Sequence, residues 1–204
     1  MTNRTNNILM KDCIKLVKRG IPAQRLDEKN EGAVEVPIIG VKAVQEGYID
    51  TNSVDWIKIQ EIDTVKKATV NKGDLILSLR GSYIKAAVAD NSVDGYVISA
   101  NLIALTLNEK IKPEIVAAYF NGPIGQRELN KRAGGTTMLS LNMERLKEVP
   151  VPLKPIEEQE IILSFIKLSS EYRKNPVKEL KHRDNTMETV ILRRLGSLKM
   201  TSLG

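Results

Sequence analysis

One cysteine, Cys13, and one histidine, His182, leave this chain without the raw material for a disulfide framework or a zinc centre. No apolar run approaches the ~18 residues of a membrane span, and the Asn-rich start from Met1 to Asn7 lacks the apolar core of a signal peptide. The expected compartment is the cytoplasm, with no membrane partner. No glycine-rich loop ends in Gly-Lys-Ser or Gly-Lys-Thr, so a nucleotide-driven motor is not supported. Nor is there an Asn-Pro-Pro-aromatic motif of an amino-methyltransferase; Asn175-Pro176-Val177-Lys178 is not one. Glu179-Leu180-Lys181 resembles the tail of a nuclease motif, but the same letters make an ordinary exposed helix turn. His182 stands in a charged stretch with no nucleophile beside it and reads as solvated, while Cys13 reads as a small packing residue. No metal site and no catalytic residue is expected.

What is present suits a globular chain. Its 204 residues, 42% hydrophobic and 27% charged, can fill one domain of about 150 residues with an appendage. The net charge of +6 is compatible with a polyanionic partner, because lysine and arginine release condensed counterions from DNA. Residues 1–153 hold 21 basic against 18 acidic side chains, so half of the excess lies in the last 51 residues. A balance of this size is also what a solvated surface carries.

Along the chain, Ile8 to Val17 starts apolar and continues with Cys13, Leu16 and Val17 at helical spacing, ended by Gly20 and Pro22. Residues 24–33 read as a loop. Val36 to Val41, Leu75 to Leu79, Ile84 to Ala89 and Tyr96 to Leu107 read as strands, with Gly47-Tyr48-Ile49-Asp50, Arg80-Gly81-Ser82 and Asp94-Gly95 as turns. Lys112-Pro113-Glu114 has the chemistry of a helix start, and Gly122-Pro123 divides the helical segment from Pro113 to Ala133 in two. Asn142 is placed to cap a short helix from Met143 to Glu148, and the prolines of Val149 to Leu153 confine that segment to an edge strand or connector. From Pro155 the pattern is helical and charged. One apolar stripe runs through Ile156, Leu163, Phe165 and Ile166, a second through Val177, Leu180, Met187, Ile191, Leu195 and Leu198, with a break at Asn175-Pro176. The class is therefore α+β: a β-rich mixed domain over residues 1–153, then a helical, coiled-coil-like region over 154–204.

Two loops carry the chemistry of nucleic-acid contact. In Arg80-Gly81-Ser82-Tyr83-Ile84-Lys85, glycine permits close approach, Arg80 can make bidentate bonds, and Ser82, Tyr83 and Lys85 suit the backbone; the plain alternative is a polar hairpin. In Lys131-Arg132-Ala133-Gly134-Gly135-Thr136-Thr137, a basic helix end runs into amides and hydroxyls able to hold a phosphate. There the alternative is that Lys131 and Arg132 complement a helix C-terminus. Arg19, Arg25 and Lys42 near loop ends form a third, weaker set, while Trp56 and Tyr48 could contact bases but read first as core or loop packing residues.

The ordered set Arg19-Gly20-Ile21-Pro22, Val36-Pro37-Ile38-Ile39, Lys72-Gly73-Asp74-Leu75-Ile76-Leu77, Ser99-Ala100-Asn101-Leu102, Gly134-Gly135-Thr136-Thr137, Leu139-Ser140-Leu141, Val149-Pro150-Val151-Pro152-Leu153 and Pro155-Ile156-Glu157-Glu158-Gln159 resembles the specificity subunit of type I restriction-modification enzymes. The resemblance spans most of the chain. One departure is Ile84, which stands where the family's Arg-Gly-Thr-x-Gly-Lys pattern has a second glycine. The resemblance implies a non-catalytic target recognition domain that reads half of a bipartite site in double-stranded DNA. It implies docking of a methyltransferase subunit and, where the system has one, a restriction subunit. S-adenosylmethionine, ATP and magnesium would belong to those partners, and this chain would hold no cofactor. Full subunits carry two recognition domains joined by helices, so a homodimer through Leu180, Met187, Ile191 and Leu195 would rebuild that layout; the alternative is that this stripe folds back on Ile162, Phe165 and Ile166 of the same chain, hinged at Asn175-Pro176. Two rivals remain: a decoy that binds methyltransferase without useful DNA affinity, and a free-standing nuclease or modifying enzyme, which the missing motifs disfavour.

Overall fold

The computed structural model describes residues 6–22, 33–60, 63, 65–135 and 138–173. In chain order the first strands are β1 (Asn6–Leu9), β2 (Ile14–Arg19), β3 (Val34–Ile39), β4 (Asp55–Ile59) and β5 (Leu75–Ser78). The short pair β6 (Arg80–Gly81) and β7 (Ala86–Val88) precedes β8 (Val97–Ile98) and β9 (Leu102–Leu107). Helices α1 (Pro113–Asn121) and α2 (Pro123–Arg132) come next, then β10 (Leu139–Ser140), α3 (Met143–Lys147), β11 (Pro150–Leu153) and α4 (Ile156–Arg173).

The centre is a four-stranded antiparallel sheet in the order β2-β9-β5-β7. Both of its faces are covered, which is why β5 and β9 read as unbroken apolar runs instead of alternating. Leu75, Leu77, Ile103 and Leu105 point to one side, where Val116, Phe120, Leu129 and Leu146 of the helices close over them. Ile76, Leu102 and Ala104 point to the other, against Ile38, Ile39, Ile57 and Val97 of the three-stranded sheet β4-β3-β8. β3 runs antiparallel to β4 and parallel to β8.

Several expectations hold in detail. Pro113 starts α1, Gly122-Pro123 separates α1 from α2, and the Asn142 side chain accepts a hydrogen bond from the Arg145 backbone N–H to cap α3. The proline-bearing β11 pairs with β1 alone, in a two-stranded sheet of its own. Cys13 is buried, and that burial pushes its thiol up to about 11.

Others are corrected. Residues 8–17 are not helical: they form the end of β1, a single 3-10 turn at Met10–Asp12, and most of β2. The helical spacing arises from a register shift between Ile14 and Leu16, which exposes two consecutive residues, Lys15 and Leu16, and destroys the alternation of a plain strand. Tyr96 to Leu107 is two strands in different sheets, split by the turn at Ser99–Asn101. β4 was not anticipated, because Asp55, Trp56 and Lys58 give it a polar, mixed surface. Its Trp56 is 63% exposed, and Tyr48 is also exposed, so neither is a core residue. Arg80 and Gly81 are a paired strand and not a free turn. On α4, Leu163 is buried while Ile156, Ile161 and Leu168 are exposed. The loop at 24–33 lies almost wholly outside the described residues, as do the break at Asn175-Pro176, the second stripe with Leu180, Met187, Ile191 and Leu195, and His182.

Candidate nucleic-acid interface

Sheet register decides which loops meet. Arg19 at the end of β2 and Leu77 near the end of β5 both pair with Ile103 of β9, from opposite sides. They are thus about 10 Å apart at one end of the sheet. Beyond that end the connections continue laterally through backbone hydrogen bonds. The Gly20 N–H donates to the Leu102 carbonyl at 3.3 Å, and the Ile21 N–H to the Ile98 carbonyl at 3.0 Å. The Leu79 N–H donates to the Asn101 carbonyl at 3.0 Å, and the Leu141 N–H to the Leu79 carbonyl at 2.9 Å. β6 then pairs with β10, placing Arg80 opposite Ser140 and Gly81 opposite Leu139, and Ser140 exchanges two 2.8 Å bonds with Gly134. On the far side the Ser99 N–H reaches the Ile39 carbonyl at 3.0 Å, which brings the turn of Lys42 alongside.

The two basic loops singled out from the sequence, some fifty residues apart, are therefore one surface, with Arg19 and Lys42 on the same rim. Its segments sit unusually close together. A Cβ on Gly20 would lie 1.9 Å from the Ser99 carbonyl oxygen, so no other residue fits there. Gly135 has φ +93° and would clash with the Met138 carbonyl at 2.1 Å, so the tip of the second loop also requires glycine.

The side chains differ in how free they are. Arg80 and Ser82 are exposed. Tyr83 is half-buried and its hydroxyl donates to the Asn121 carbonyl; burial, then the charge of Glu46, pushes its pKa up. Its one donor is thereby spent inside the protein. Lys85 is half-buried, and its backbone is tied to Ser78 by two bonds of 2.8 and 3.0 Å. Lys131 and Arg132 both bind Glu128, at 2.6 and 2.8 Å, and hydrogen bonds from the lysine and then the arginine hold that carboxyl below its usual range. Lys42 pairs with Asp55 at 2.7 Å, but both are well exposed, so the pair is weakly held. Arg19 is exposed on an open cleft of about 560 Å³ that Lys66, Lys67 and Lys147 also line. Thr136, Thr137 and Arg25 lie outside the described residues.

Three residues were not anticipated. Arg145 donates from Nη1 to the Arg132 carbonyl at 3.1 Å and so braces the second loop; nothing in the letters of a short charged helix signals this. Asn101 is exposed on the rim, inside a motif that the sequence did display. Lys18, buried on β2, bonds Asp74 at 2.7 Å, and Asp74 also accepts from Thr106 Oγ1 at 2.6 Å and from the Asn71 N–H at 2.8 Å. The Gly-Asp motif thus anchors the start of β5, away from the rim, to β2 and β9. Among the described residues no cluster of His, Cys, Asp or Glu could hold a metal, and no helix is long and apolar enough to cross a membrane.

A family model for the type I restriction modification DNA specificity domain matches residues 7–174. The chain is 24% identical, over 164 residues, to a protein of Methanocaldococcus jannaschii assigned as the MjaX type I restriction enzyme specificity subunit, covering 77% of this chain and 37% of that one. Its fold is shared with a chain from a study of complex assembly and conformational transition of the type I R-M system, with TM-score 0.64, 16% identity, and 94% of this chain against 48% of that one. It is shared also with the HsdS subunit of Thermoanaerobacter tengcongensis, with TM-score 0.59, 17% identity, and 83% of this chain against 43% of that one. The chain spans less than half the length of each of these relatives.

Proposed function

The chain belongs to the type I restriction modification DNA specificity domain family, and from that premise we propose that it reads one half of a bipartite DNA sequence on behalf of a methyltransferase subunit. The observation that carries this reading is the convergence of Arg19, Arg80, Asn101, Ser140 and the Gly134–Gly135 loop on one end of one sheet, on backbone held by a continuous run of hydrogen bonds. A rim of that kind offers base-reading donors beside phosphate-gripping cations on a rigid base, the two classes of contact that sequence-specific binding combines. No chemistry is assigned to the chain itself. S-adenosylmethionine, ATP and magnesium are assigned to partner subunits, and cytoplasmic DNA is the substrate of the assembly. Residues 1–153 are the recognition domain and 154–204 the spacer and docking region.

The exposed Ile161 and Leu168, seven residues apart on α4, support a partner for that helix. We assign it to a second copy of this chain, with the methyltransferase docking on the paired helices and a restriction subunit joining where the system has one. A second reading is the decoy that binds methyltransferase alone; it is favoured by the pairing of Lys131 and Arg132 with Glu128. A salt-dependent DNA-binding titration with and without the methyltransferase separates the two. The recognition reading expects specific binding whose affinity falls with salt; the decoy reading expects methyltransferase binding and no sequence preference.

A further inference from the structure

The turn from Ser99 to Leu102 is held on the rim by backbone bonds to three other segments. Its own closure is a backbone bond, from the Leu102 N–H to the Ser99 carbonyl at 2.9 Å. Three neighbouring segments then grip it: Ile39 through the Ser99 N–H, Gly20 through the Leu102 carbonyl, and Leu79 through the Asn101 carbonyl. The absence of a side chain at Gly20 lets the first segment press against Ser99. Asn101 is exposed at the tip, preceded by the small, exposed Ala100.

An asparagine in a turn ordinarily spends its side chain on nearby backbone, closing the turn as an Asx motif. Asn101 does not: the backbone closes this turn, and among the described residues its carboxamide makes no hydrogen bond within the protein. The rim thus holds an amide with both a donor and an acceptor facing out, on backbone that need not reorganise, one hydrogen bond away from the strand end that carries Arg80.

On the proposed DNA-reading function, we infer that Asn101 is a base-reading residue that works beside Arg80. The chemistry it fits is adenine, whose N7 acceptor and N6 donor match a carboxamide bidentately, as O6 and N7 of guanine match the Arg80 guanidinium. A rigid support matters here because a bidentate contact tolerates little angular error.

The test is selection of binding sites from randomised duplex DNA by the full chain in complex with its methyltransferase subunit, using wild type, Asn101→Ala, Asn101→Asp and Arg80→Ala. Asn101→Ala is expected to flatten preference at one base pair and to weaken binding to the wild-type site by roughly 5- to 150-fold. Asn101→Asp is expected to exchange the adenine preference there for cytosine, whose N4 amino group a carboxylate accepts. Arg80→Ala is expected to relax a different position. If the wild type selects a motif and Arg80→Ala alters it while both Asn101 variants select the wild-type motif, Asn101 is not a reader and the DNA-reading function stands. Uniform weakening across all sequences makes Asn101 a phosphate contact and also overturns the inference. A wild-type complex that selects no motif takes down both. Thermal unfolding of each variant shows that the fold is intact, and the cytosine switch is a gain that misfolding cannot imitate.

Discussion

At the scale of single residues, the sheet that carries the rim is held by a buried ion pair and a close backbone approach. Lys18 and Asp74 form a buried ion pair whose remaining valences are met by Asn71 and Thr106. Removing one partner strands the other charge, so Asp74→Ala should cost about 3–5 kcal/mol in denaturant unfolding, whereas Lys18→Met with Asp74→Leu should cost less than the single change. Gly20→Ala should cost about 1–3 kcal/mol and loosen the Ser99 turn, because the methyl group has no room against the Ser99 carbonyl. Cys13, buried with its thiol held up to about 11, should resist thiol reagents at neutral pH until the chain is unfolded. Rapid labelling of the native chain would contradict its placement. The sequence pointed to Asp74 only as part of a turn-and-strand motif; its partner Lys18 directly follows the segment Ile8 to Val17, whose bulge made it read as helix. No local pattern announces an ion pair between residues 56 positions apart.

At the scale of elements, proline and glycine made the helical half of the domain legible. The starts at Pro113 and Pro123, the cap at Asn142 and the edge character of β11 all derive from what those residues forbid or supply. β5 and β9 were visible as apolar runs, but β4 was not, because the consecutive exposed Asp55 and Trp56 break the alternation of so short a strand. The Pro155 to Gln159 motif was visible as letters while its physical task was not. Gln159 is 1% exposed; its Oε1 accepts from the Lys112 N–H at 2.9 Å, and its Nε2 donates to the carbonyls of Lys110 and Lys154 at 2.8 Å each. The side chain locks the first turn of α4 to the entrance of α1, assisted by the Lys112–Glu160 pair. Gln159→Ala should therefore raise amide exchange in α4 selectively, at a cost of about 1–3 kcal/mol, while β5 and β9 keep their protection. Equal loss of protection in the central sheet would mean that α4 and the domain form one cooperative unit with no separate hinge.

At the scale of the whole molecule, the proposed function places recognition on this chain and catalysis on its partner subunits. The purified chain supplied with S-adenosylmethionine, ATP and magnesium should neither methylate nor cut DNA; methyl transfer by the chain alone would contradict this. The proposed second copy of this chain would cover the exposed Ile161 and Leu168 of α4. Light scattering should report a dimer at micromolar concentration, lost in the pair Ile161→Glu and Leu168→Glu, which places charge on exposed apolar surface of α4 that would leave water at about 25 cal/mol per Å², or in Leu180→Glu with Ile191→Glu, which interrupts the second apolar stripe read from the sequence. A monomer unaffected by either pair would leave the helical region folded back on its own chain. The candidate site was legible as separate loops, since basic, glycine-rich stretches signal anion contact locally. That they form one surface was not, because the β2-β9-β5 register and the β6–β10 pairing join residues far apart in sequence. The central claim, that this rim reads DNA, is tested most directly by mapping methylation in DNA treated with the chain and its methyltransferase subunit. The predicted result is methylation confined to an inverted repeat with a fixed spacer, with Arg80→Ala relaxing the same position in both halves. Methylation indifferent to sequence, or a motif that Arg80→Ala leaves unchanged, would contradict it.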